Sequence, residues 1–251
     1  MKMGLFDRKK KLPSDFFQGA TDMHSHLLPG VDDGFQTTEA AVEGLQFMRG
    51  LGFRQLILTP HIMTDYADNC RPFLEECFAG LMRESATEGL SIRLAAEYML
   101  DEQFLPHKQE GWLHLNPQEK IMLVETSYMY KSPDMEQYLY ELTTEDNQVV
   151  IAHPERYRYA DTDMFKRWKE SGYYLQLNLI SLAGGYGKPA KETALYLLDA
   201  GMYDYVGTDL HKISTFEQWL PEMRLRDHQI DALHRLYENN AELYGKPAKQ
   251  E

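Results

Sequence analysis

The chain has 251 residues, of which 43% are hydrophobic and 26% are charged, as in an ordinary globular protein. That length can bury a large core, either as one α/β barrel or as two smaller domains. The formal net charge of −13 argues against nucleic acid polymers as the main partner, because phosphate backbones are bound through basic surfaces. A small phosphorylated substrate stays compatible with this charge, since metal ions would meet its phosphate locally.

The first residues are basic but carry no apolar stretch typical of a secretory signal. We expect residues 1–15, with the run Arg8-Lys9-Lys10-Lys11, to be a flexible tail; the alternative is a weak tether to anionic lipid. Residues 16–251 are predicted to form a single domain without a transmembrane helix. Two cysteines, Cys70 and Cys77, are interpreted as thiols of a reducing compartment, so we expect a cytoplasmic protein.

Seven short β-like runs alternate with longer amphipathic stretches. Strands are predicted at Thr21–Leu27, Gln55–Thr59, Ile92–Ala96, Ile121–Val124, Val149–Ala152, Tyr173–Leu179 and Tyr203–Val206. Helices are predicted at Thr38–Leu51, Arg71–Glu88, Met164–Ser171, Ala190–Ala200 and Ile230–Leu243. This alternation is typical of a parallel α/β fold, either an open doubly wound sheet or a barrel.

Metal-capable side chains follow nearly every predicted strand. His24 and His26 lie two residues apart in the first strand, so both rings point to the same side, and the turn after them can return Asp33 to that point. The later strands deliver the other candidates, which are His61, Glu97, Glu125, His153, Asp209 and His211. Strand ends that share one site must form a ring, so a barrel with its site at the C-terminal rim is favoured over an open sheet.

Each candidate is ordinary by itself, since a single loop histidine or strand-end carboxylate is usually structural. Together they are informative, because a charged group that ends an apolar strand is costly unless something compensates it. Four other histidines are interpreted as structural or surface residues: His107, His114, His228 and His234. Nine imidazole and carboxylate ligands without thiolate suit two or three ions of Mn, Fe, Zn or Mg.

The order and spacing of these residues resemble the polymerase-and-histidinol-phosphatase (PHP) superfamily. The matching strings are Asp22-x-His24-x-His26, Thr59-Pro60-His61, Glu97, Glu125, His153-Pro154-Glu155-Arg156-Tyr157 and Thr208-Asp209-Leu210-His211. Within that superfamily the chain is most similar to bacterial protein-tyrosine phosphatases of capsule and exopolysaccharide systems. The resemblance implies a distorted (β/α)7 barrel with a trinuclear, usually manganese-dependent centre, acting on phosphotyrosines of bacterial tyrosine kinases.

The resemblance also implies roles for single residues. His24, His26, Glu97 and Asp209 would hold the first ion, and Glu97 would bridge to a second. The other ligands would be Glu125 and His153 for the second ion, and Asp33, His61 and His211 for the third. Arg156 matches the arginine that binds the phosphate, and Arg156, Asp209 and His211 are the predicted catalytic residues.

The chain departs from the family pattern where a second arginine often follows the Asp-x-His motif. Lys212 stands there, so Lys212, Arg224 or Arg226 would take its place. Tyr157 or Tyr159 is hypothesised to stack on the substrate ring, with ordinary packing as the alternative. Asp32 either hydrogen-bonds a metal-ligating residue or is simply a turn residue.

Three other functions fit parts of the pattern. A small-metabolite phosphatase of the histidinol-phosphate type would use the same metal ligands, whereas the acidic charge disfavours polymerase-associated nuclease activity. A noncatalytic metal-stabilised scaffold is the third, and the size of the ligand set counts against it, because structural sites are closed and need fewer ligands.

Overall fold

A computed structural model of the chain describes residues 8–84 and 87–245. Within these ranges the strands are β1 Thr21–Ser25, β2 Gln55–Leu58, β3 His61–Ile62, β4 Ser91–Leu94, β5 Glu97–Met99, β6 Ile121–Glu125, β7 Gln148–Ala152, β8 Tyr174–Asn178 and β9 Tyr205–Gly207. The α-helices are α1 Thr38–Leu51, α2 Arg71–Leu81, α3 Met135–Thr144, α4 Thr162–Glu170, α5 Lys188–Asp199, α6 Ile213–Trp219 and α7 Asp227–Tyr244.

The strands form two parallel sheets that continue one another. One sheet has the order β1-β2-β4 and the other the order β3-β5-β6-β7-β8-β9. The Ala95 N–H donates to the Leu58 carbonyl (2.8 Å) at the end of β2 and β4, and the Glu97 N–H donates to the Pro60 carbonyl (3.1 Å) at the start of β3 and β5, so the pairing continues from one sheet into the next. A parallel bridge between Ser25 and Leu210 joins β1 to the segment after β9. The result is a mixed α/β fold with a curled parallel sheet, which confirms the α/β part of the prediction.

Apolar side chains fill the inside of the curled sheet. Met23, Ile57, Leu123 and Val150 belong to this inner cluster, and each is fully buried. Because side chains alternate along a strand, every second residue after them also points inward. Glu125 therefore points inward after Leu123, and Thr59 and His61 point inward after Ile57. The interior is thus apolar along the strands and polar at their C-terminal ends.

An irregularity in β1 contributes to the site. Asp22 lies opposite Leu56, whereas Ser25 lies opposite Leu58. Two residues of β1, Met23 and His24, therefore face a single residue of β2. A bulge of this kind changes the direction of the side chains next to it. Here Met23 joins the inner apolar cluster, whereas the adjacent His24 lies in the polar site.

The helices cover the outside of the sheet. Thr37 caps the start of α1 by accepting a hydrogen bond from the Ala40 backbone, and Gly52 ends it at a φ of +116°, a left-handed conformation that glycine adopts at little cost. Asn240 of α7 hydrogen-bonds Thr21 and Val206, so the last helix is tied to the beginnings of β1 and β9.

Several boundaries differ from the sequence-based expectation. The predicted helix Arg71–Glu88 ends at Leu81, and residues 85 and 86 lie outside the described part of the chain. Strands β3 and β5 continue two predicted strands after short breaks. Helices α3 and α6 were not predicted, although the buried residues of α3 follow a readable helical spacing: Met135, Tyr138, Leu139 and Leu142.

Part of the predicted tail contacts the domain. Residues 1–7 lie outside the described residues, but Lys10 pairs with the Leu225 backbone, and its ammonium group lies 2.6 Å from the Asp227 carboxylate. Both side chains of this ion pair are largely exposed, so it contributes little to stability. Cys70 directly precedes α2, Cys77 lies within it, and both are free thiols. No helix in residues 8–84 and 87–245 is long and apolar enough to cross a bilayer.

Candidate metal centre

Four side chains from three separate parts of the sheet meet at the deepest point of the site. His24 Nε2 lies 3.2 Å from His26 Nε2 and 3.2 Å from Glu97 Oε2. Asp209 Oδ1 lies 3.4 Å from His24 Nε2 and 3.3 Å from His26 Nε2. Ligand atoms around a tetrahedral metal at about 2.0–2.2 Å are about 3.3–3.6 Å apart. The four atoms therefore have the spacing of a first coordination shell.

The outer nitrogens of the two histidines fix their proton positions. His24 Nδ1 lies 3.0 Å from Gln176 Oε1, and His26 Nδ1 lies 2.8 Å from Asp32 Oδ2. Oxygen can only accept here, so both Nδ1 atoms donate, and in the neutral rings both Nε2 atoms present lone pairs. Two lone pairs and two carboxylate oxygens then face one another, an arrangement that a cation would satisfy.

A second group lies beside the first and shares Glu97 with it. His61 Nδ1 is 2.9 Å from Glu125 Oε1 and 3.2 Å from Glu97 Oε2, and these three residues can hold one ion. His153 was predicted as a ligand of this second group. Its Nε2 lies 2.8 Å from Glu97 Oε1 and 3.9 Å from Glu125 Oε2. The structure thus adds His61 to the predicted second set and keeps His153 at its edge.

The third group lies nearest to solvent. His211 Nε2 is 3.2 Å from Asp33 Oδ1, and His61 Nε2 is 3.6 Å from the same oxygen. The His26 and His211 rings stack at 3.9 Å, which brings His26 into this group as well. The Asp33 side chain is 60% exposed, unlike the buried first group, so access to the site is from this side.

The pKa values of the site follow from opposite effects of burial and charge. Burial lowers the pKa of His24, but the carboxylates of Glu97 and Asp209 outweigh it and raise that pKa above its ordinary value. Burial also raises the pKa of Glu97, yet the charges of His24 and His153 hold it well below the usual range. Glu97 is thus kept ionised, as a carboxylate that binds metal must be.

Several buried polar atoms of the site make no hydrogen bond of good geometry, although His61 Nδ1 and Glu125 Oε1 lie 2.9 Å apart. They are His61 Nδ1, Glu125 Oε1, His153 Nδ1 and Asp209 Oδ1. Buried polar atoms without a partner are uncommon and costly, and their clustering is explained if a ligand or ion completes them. The donor set, which is nitrogen and oxygen without sulfur, fits a divalent first-row metal or magnesium.

Backbone strain and close packing also concentrate here. His153 has a φ of +30° and Asp209 a φ of +52°, both in the left-handed region that side chains rarely adopt. A Cβ added at Gly207 would lie 2.5 Å from His24 Cβ, and one added at Gly34 would lie 2.2 Å from the His26 carbonyl oxygen. Strained residues and obligatory glycines of this kind accumulate at functional sites.

A cavity of about 350 Å³ opens above these groups. Its lining combines cationic and apolar side chains: Asp33, His61, Tyr128, Arg156, Ile180, Tyr186, Thr208, Asp209, Leu210, His211, Lys212, Thr215 and Phe216. Arg156 Nη1 donates to Asp209 Oδ2 at 3.0 Å, so the guanidinium lies beside the first metal group. An anion in the cavity would contact Arg156, Lys212 and any bound cation together.

A family model described as capsular polysaccharide synthesis, CpsB/CapC, matches residues 20–239. The chain belongs to the CpsB/CapC family. It is 30% identical over 204 residues to the tyrosine-protein phosphatase YwqE of Bacillus subtilis, covering 77% of this chain and 78% of YwqE. It is 24% identical over 234 residues to the tyrosine-protein phosphatase CpsB of Streptococcus agalactiae, covering 88% of this chain and 96% of that relative.

The fold comparison agrees with the family. The structure is similar to a crystal structure from work on YwqE of Bacillus subtilis and CpsB of Streptococcus pneumoniae, described as unique metal-dependent tyrosine phosphatases. The TM-score is 0.68, the sequence identity is 26%, and 89% of each chain is covered. The resemblance derived from the motifs is therefore confirmed at the level of the family and of the fold.

The structure bears on two expectations about substrate contacts: the stacking role of Tyr157 and the choice among Lys212, Arg224 and Arg226. Tyr157 is only 3% exposed, and its hydroxyl donates to the Ala152 carbonyl at 2.8 Å, which favours the alternative of ordinary packing over stacking on a substrate ring. Lys212 lines the cavity, whereas Arg224 donates to the Pro221 carbonyl. Arg226 is the N-cap residue of α7, so of the three candidates Lys212 is the one in the cavity lining.

The motifs did not identify the residues that orient the ligands. Gln176 binds both the His24 ring and the His153 backbone, and Asn178 donates to Asp209 Oδ2 at 2.7 Å. Their signal was present in the sequence, since two amides alternate with leucines in a strand that is otherwise apolar. Asp32, left open between two roles, accepts hydrogen bonds from the His26 ring and the His61 backbone, so it orients ligands.

Proposed function

We propose that this chain is a metal-dependent protein-tyrosine phosphatase. The observation that carries the proposal is the convergence of four buried lone-pair atoms, from His24, His26, Glu97 and Asp209, next to Arg156. A cation there and an arginine beside it form a site for a phosphoryl group. Membership of the CpsB/CapC family and the named activity of its relatives support the same substrate class.

The proposed ligands are the nine side chains predicted from the sequence: His24, His26, Asp33, His61, Glu97, Glu125, His153, Asp209 and His211. The three overlapping groups support up to three ions. Manganese is the proposed native metal, because mixed imidazole and carboxylate donors suit it, with Fe, Zn or Mg as the alternatives to exclude. When bound, such ions supply positive charge and activate water for attack on phosphorus.

The chain's own residues bind and orient the phosphate. The Arg156 guanidinium presents a planar set of N–H donors, which matches two phosphoryl oxygens, and Lys212 adds a point charge at the cavity wall. As charge spreads over the phosphoryl oxygens, both cations stabilise it. The leaving group of an aryl phosphate is a phenolate, whose conjugate acid has a pKa of about 10, so it departs with little need for a general acid.

Further parts of the proposal concern architecture and partners. We interpret β2 with β3, and β4 with β5, as two bent strands, which makes the sheet a distorted (β/α)7 barrel closed through Ser25 and Leu210. The proposed substrate is a phosphotyrosine of a bacterial tyrosine kinase that controls polysaccharide export, in the cytoplasm. Weak contact of the basic residues 8–11 with a membrane surface is compatible with such a partner.

The test is hydrolysis of a phosphotyrosyl peptide by protein freed of metal with EDTA and then supplied with Mn²⁺. We expect turnover only after the metal is restored, and higher kcat/KM for the peptide than for histidinol phosphate. His26→Ala should abolish turnover and keep the thermal unfolding transition, and His228→Ala is the matched control, since that ring binds Asp199 at the surface. Metal-independent turnover, or full turnover of His26→Ala, would refute the proposal.

A further inference from the structure

Two tyrosine rings enclose the Arg156 guanidinium. The ring centroids of Tyr128 and Tyr186 each lie 4.1 Å from Arg156 Cζ. A cation at this distance from an aromatic ring is attracted to its electron-rich face, most strongly where water is excluded. The Arg156 side chain is 16% exposed, so both contacts lie in a largely desolvated place. We call these two residues the tyrosine pair.

Each ring of the tyrosine pair is also tied to a carboxylate of the metal centre. The Tyr128 hydroxyl donates to Glu125 Oε2 at 3.0 Å. The Tyr186 hydroxyl donates to Asp209 Oδ2 at 3.3 Å and accepts a hydrogen bond from Asn178 Nδ2 at 3.1 Å. The rings that contact the arginine are therefore held by residues of the same groups that would bind metal.

The hydrogens of both hydroxyls are directed at carboxylates, since Tyr128 donates to Glu125 and Tyr186 donates to Asp209. A hydroxyl whose hydrogen is engaged in this way fixes the direction of its ring. This geometry favours a role in orientation.

We propose that Tyr128 and Tyr186 are positioning residues that hold the Arg156 guanidinium in place relative to the metal ligands, so that it meets a phosphoryl group without first being ordered. The inference rests on the proposed function of Arg156 in binding phosphate. A free arginine has many rotamers, and fixing it before binding removes part of the entropic cost of each complex. With Mn²⁺ in excess, the tyrosine pair therefore acts on phosphate affinity through Arg156.

The test uses the full-length, Mn²⁺-loaded protein with inorganic phosphate as the probe. For Tyr186→Ala we expect about 10-fold weaker phosphate binding by calorimetry, the size of a partly desolvated cation–π contact. Tyr186→Phe loses the hydrogen bonds to Asp209 and from Asn178 but keeps the ring against Arg156, so it should restore affinity to within about threefold. Tyr196→Ala is the control, because Tyr196 lies 46% exposed on α5, outside the cavity lining.

A double-mutant cycle separates positioning from a general structural effect. With Arg156→Gln as background, Tyr186→Ala should weaken phosphate binding by less than about twofold, because the residue it positions is gone. With Mn²⁺ in excess, all variants should hold the same amount of metal and unfold in a cooperative transition. Parent-like phosphate affinity of Tyr186→Ala, an additive effect in the cycle, or a parent that does not bind phosphate would overturn the inference. An intact cycle in a protein that does not hydrolyse phosphotyrosine would instead reject only the proposed function.

Discussion

Gly207 offers a direct test of how tightly the first metal group is packed. An added Cβ would lie 2.5 Å from His24 Cβ and 2.9 Å from Gln176 Nε2. Ordinary contacts begin at about 3.4 Å, so His24 or the backbone of Gly207 would have to move by close to an ångström. The φ of Gly207 lies outside the left-handed region, so Gly207→Ala tests contact alone.

Two magnitudes follow for Gly207→Ala. Overpacking at a buried position costs about 1–3 kcal/mol, which for a chain of this size corresponds to a fall in Tm of about 2–12 °C. Moving His24 and its partner Gln176 should also weaken Mn²⁺ binding by about 10- to 100-fold, the usual effect of disturbing the residues that orient a metal ligand. Thermal unfolding and Mn²⁺ titration measure the two effects separately.

Gly50→Ala is the matched control. Gly50 lies in α1 with nothing within 4 Å of an added Cβ, so alanine there should leave Mn²⁺ binding unchanged and stabilise the helix by about 0.5–1 kcal/mol. If Gly207→Ala bound Mn²⁺ as tightly as the parent and unfolded at the same temperature, the packing described around His24 would be refuted.

Further predictions concern the phosphate, the ligand partners and pH. Arg156→Lys should lower kcat/KM for an aryl phosphate by about 10- to 100-fold in steady-state kinetics, since lysine cannot make the paired contact, and an unchanged value would contradict its role. Asp32→Asn should weaken Mn²⁺ binding by about 10- to 100-fold in a titration, and parent-like affinity would show that its bond to His26 is dispensable. Removing Mn²⁺ held at 100 times its Kd should lower Tm by about 5–11 °C, and an EDTA-insensitive transition would argue against bound metal. In metal-free protein, burial lowers the pKa of His61, but the carboxylates of Glu125 and Glu97 together outweigh burial and raise that pKa to about 9. The free energy of unfolding should therefore fall between about pH 6.5 and 9, where the stabilising proton is lost, and denaturant titrations that show a rise would contradict this.

Most residues of the candidate site could be predicted from the sequence, because they occupy regular positions on strands. The spacing of His24 and His26, and the positions of Glu97 and Glu125 directly after apolar runs, follow from side-chain alternation alone. Converging strand ends then required a curled sheet, and the structure does bring Glu97 and Asp209 into one group. The division of these residues into three groups could not be predicted from the sequence. His61 and His26 each belong to two groups, and this depends on ring orientations that sequence spacing does not determine.

The sequence alone determined which chemical groups the site contains, because the identity and order of the ligands are fixed along the chain. Only the tertiary structure decided how they are oriented: the bulge in β1, the left-handed backbone of His153 and Asp209, and the amide of Gln176 act across distant segments. The tyrosine pair is of the same kind, since Tyr128 and Tyr186 lie far apart in sequence and meet only at Arg156. The physical reason is that ligand type is a local property, whereas ligand direction depends on contacts made after the sheet has curled.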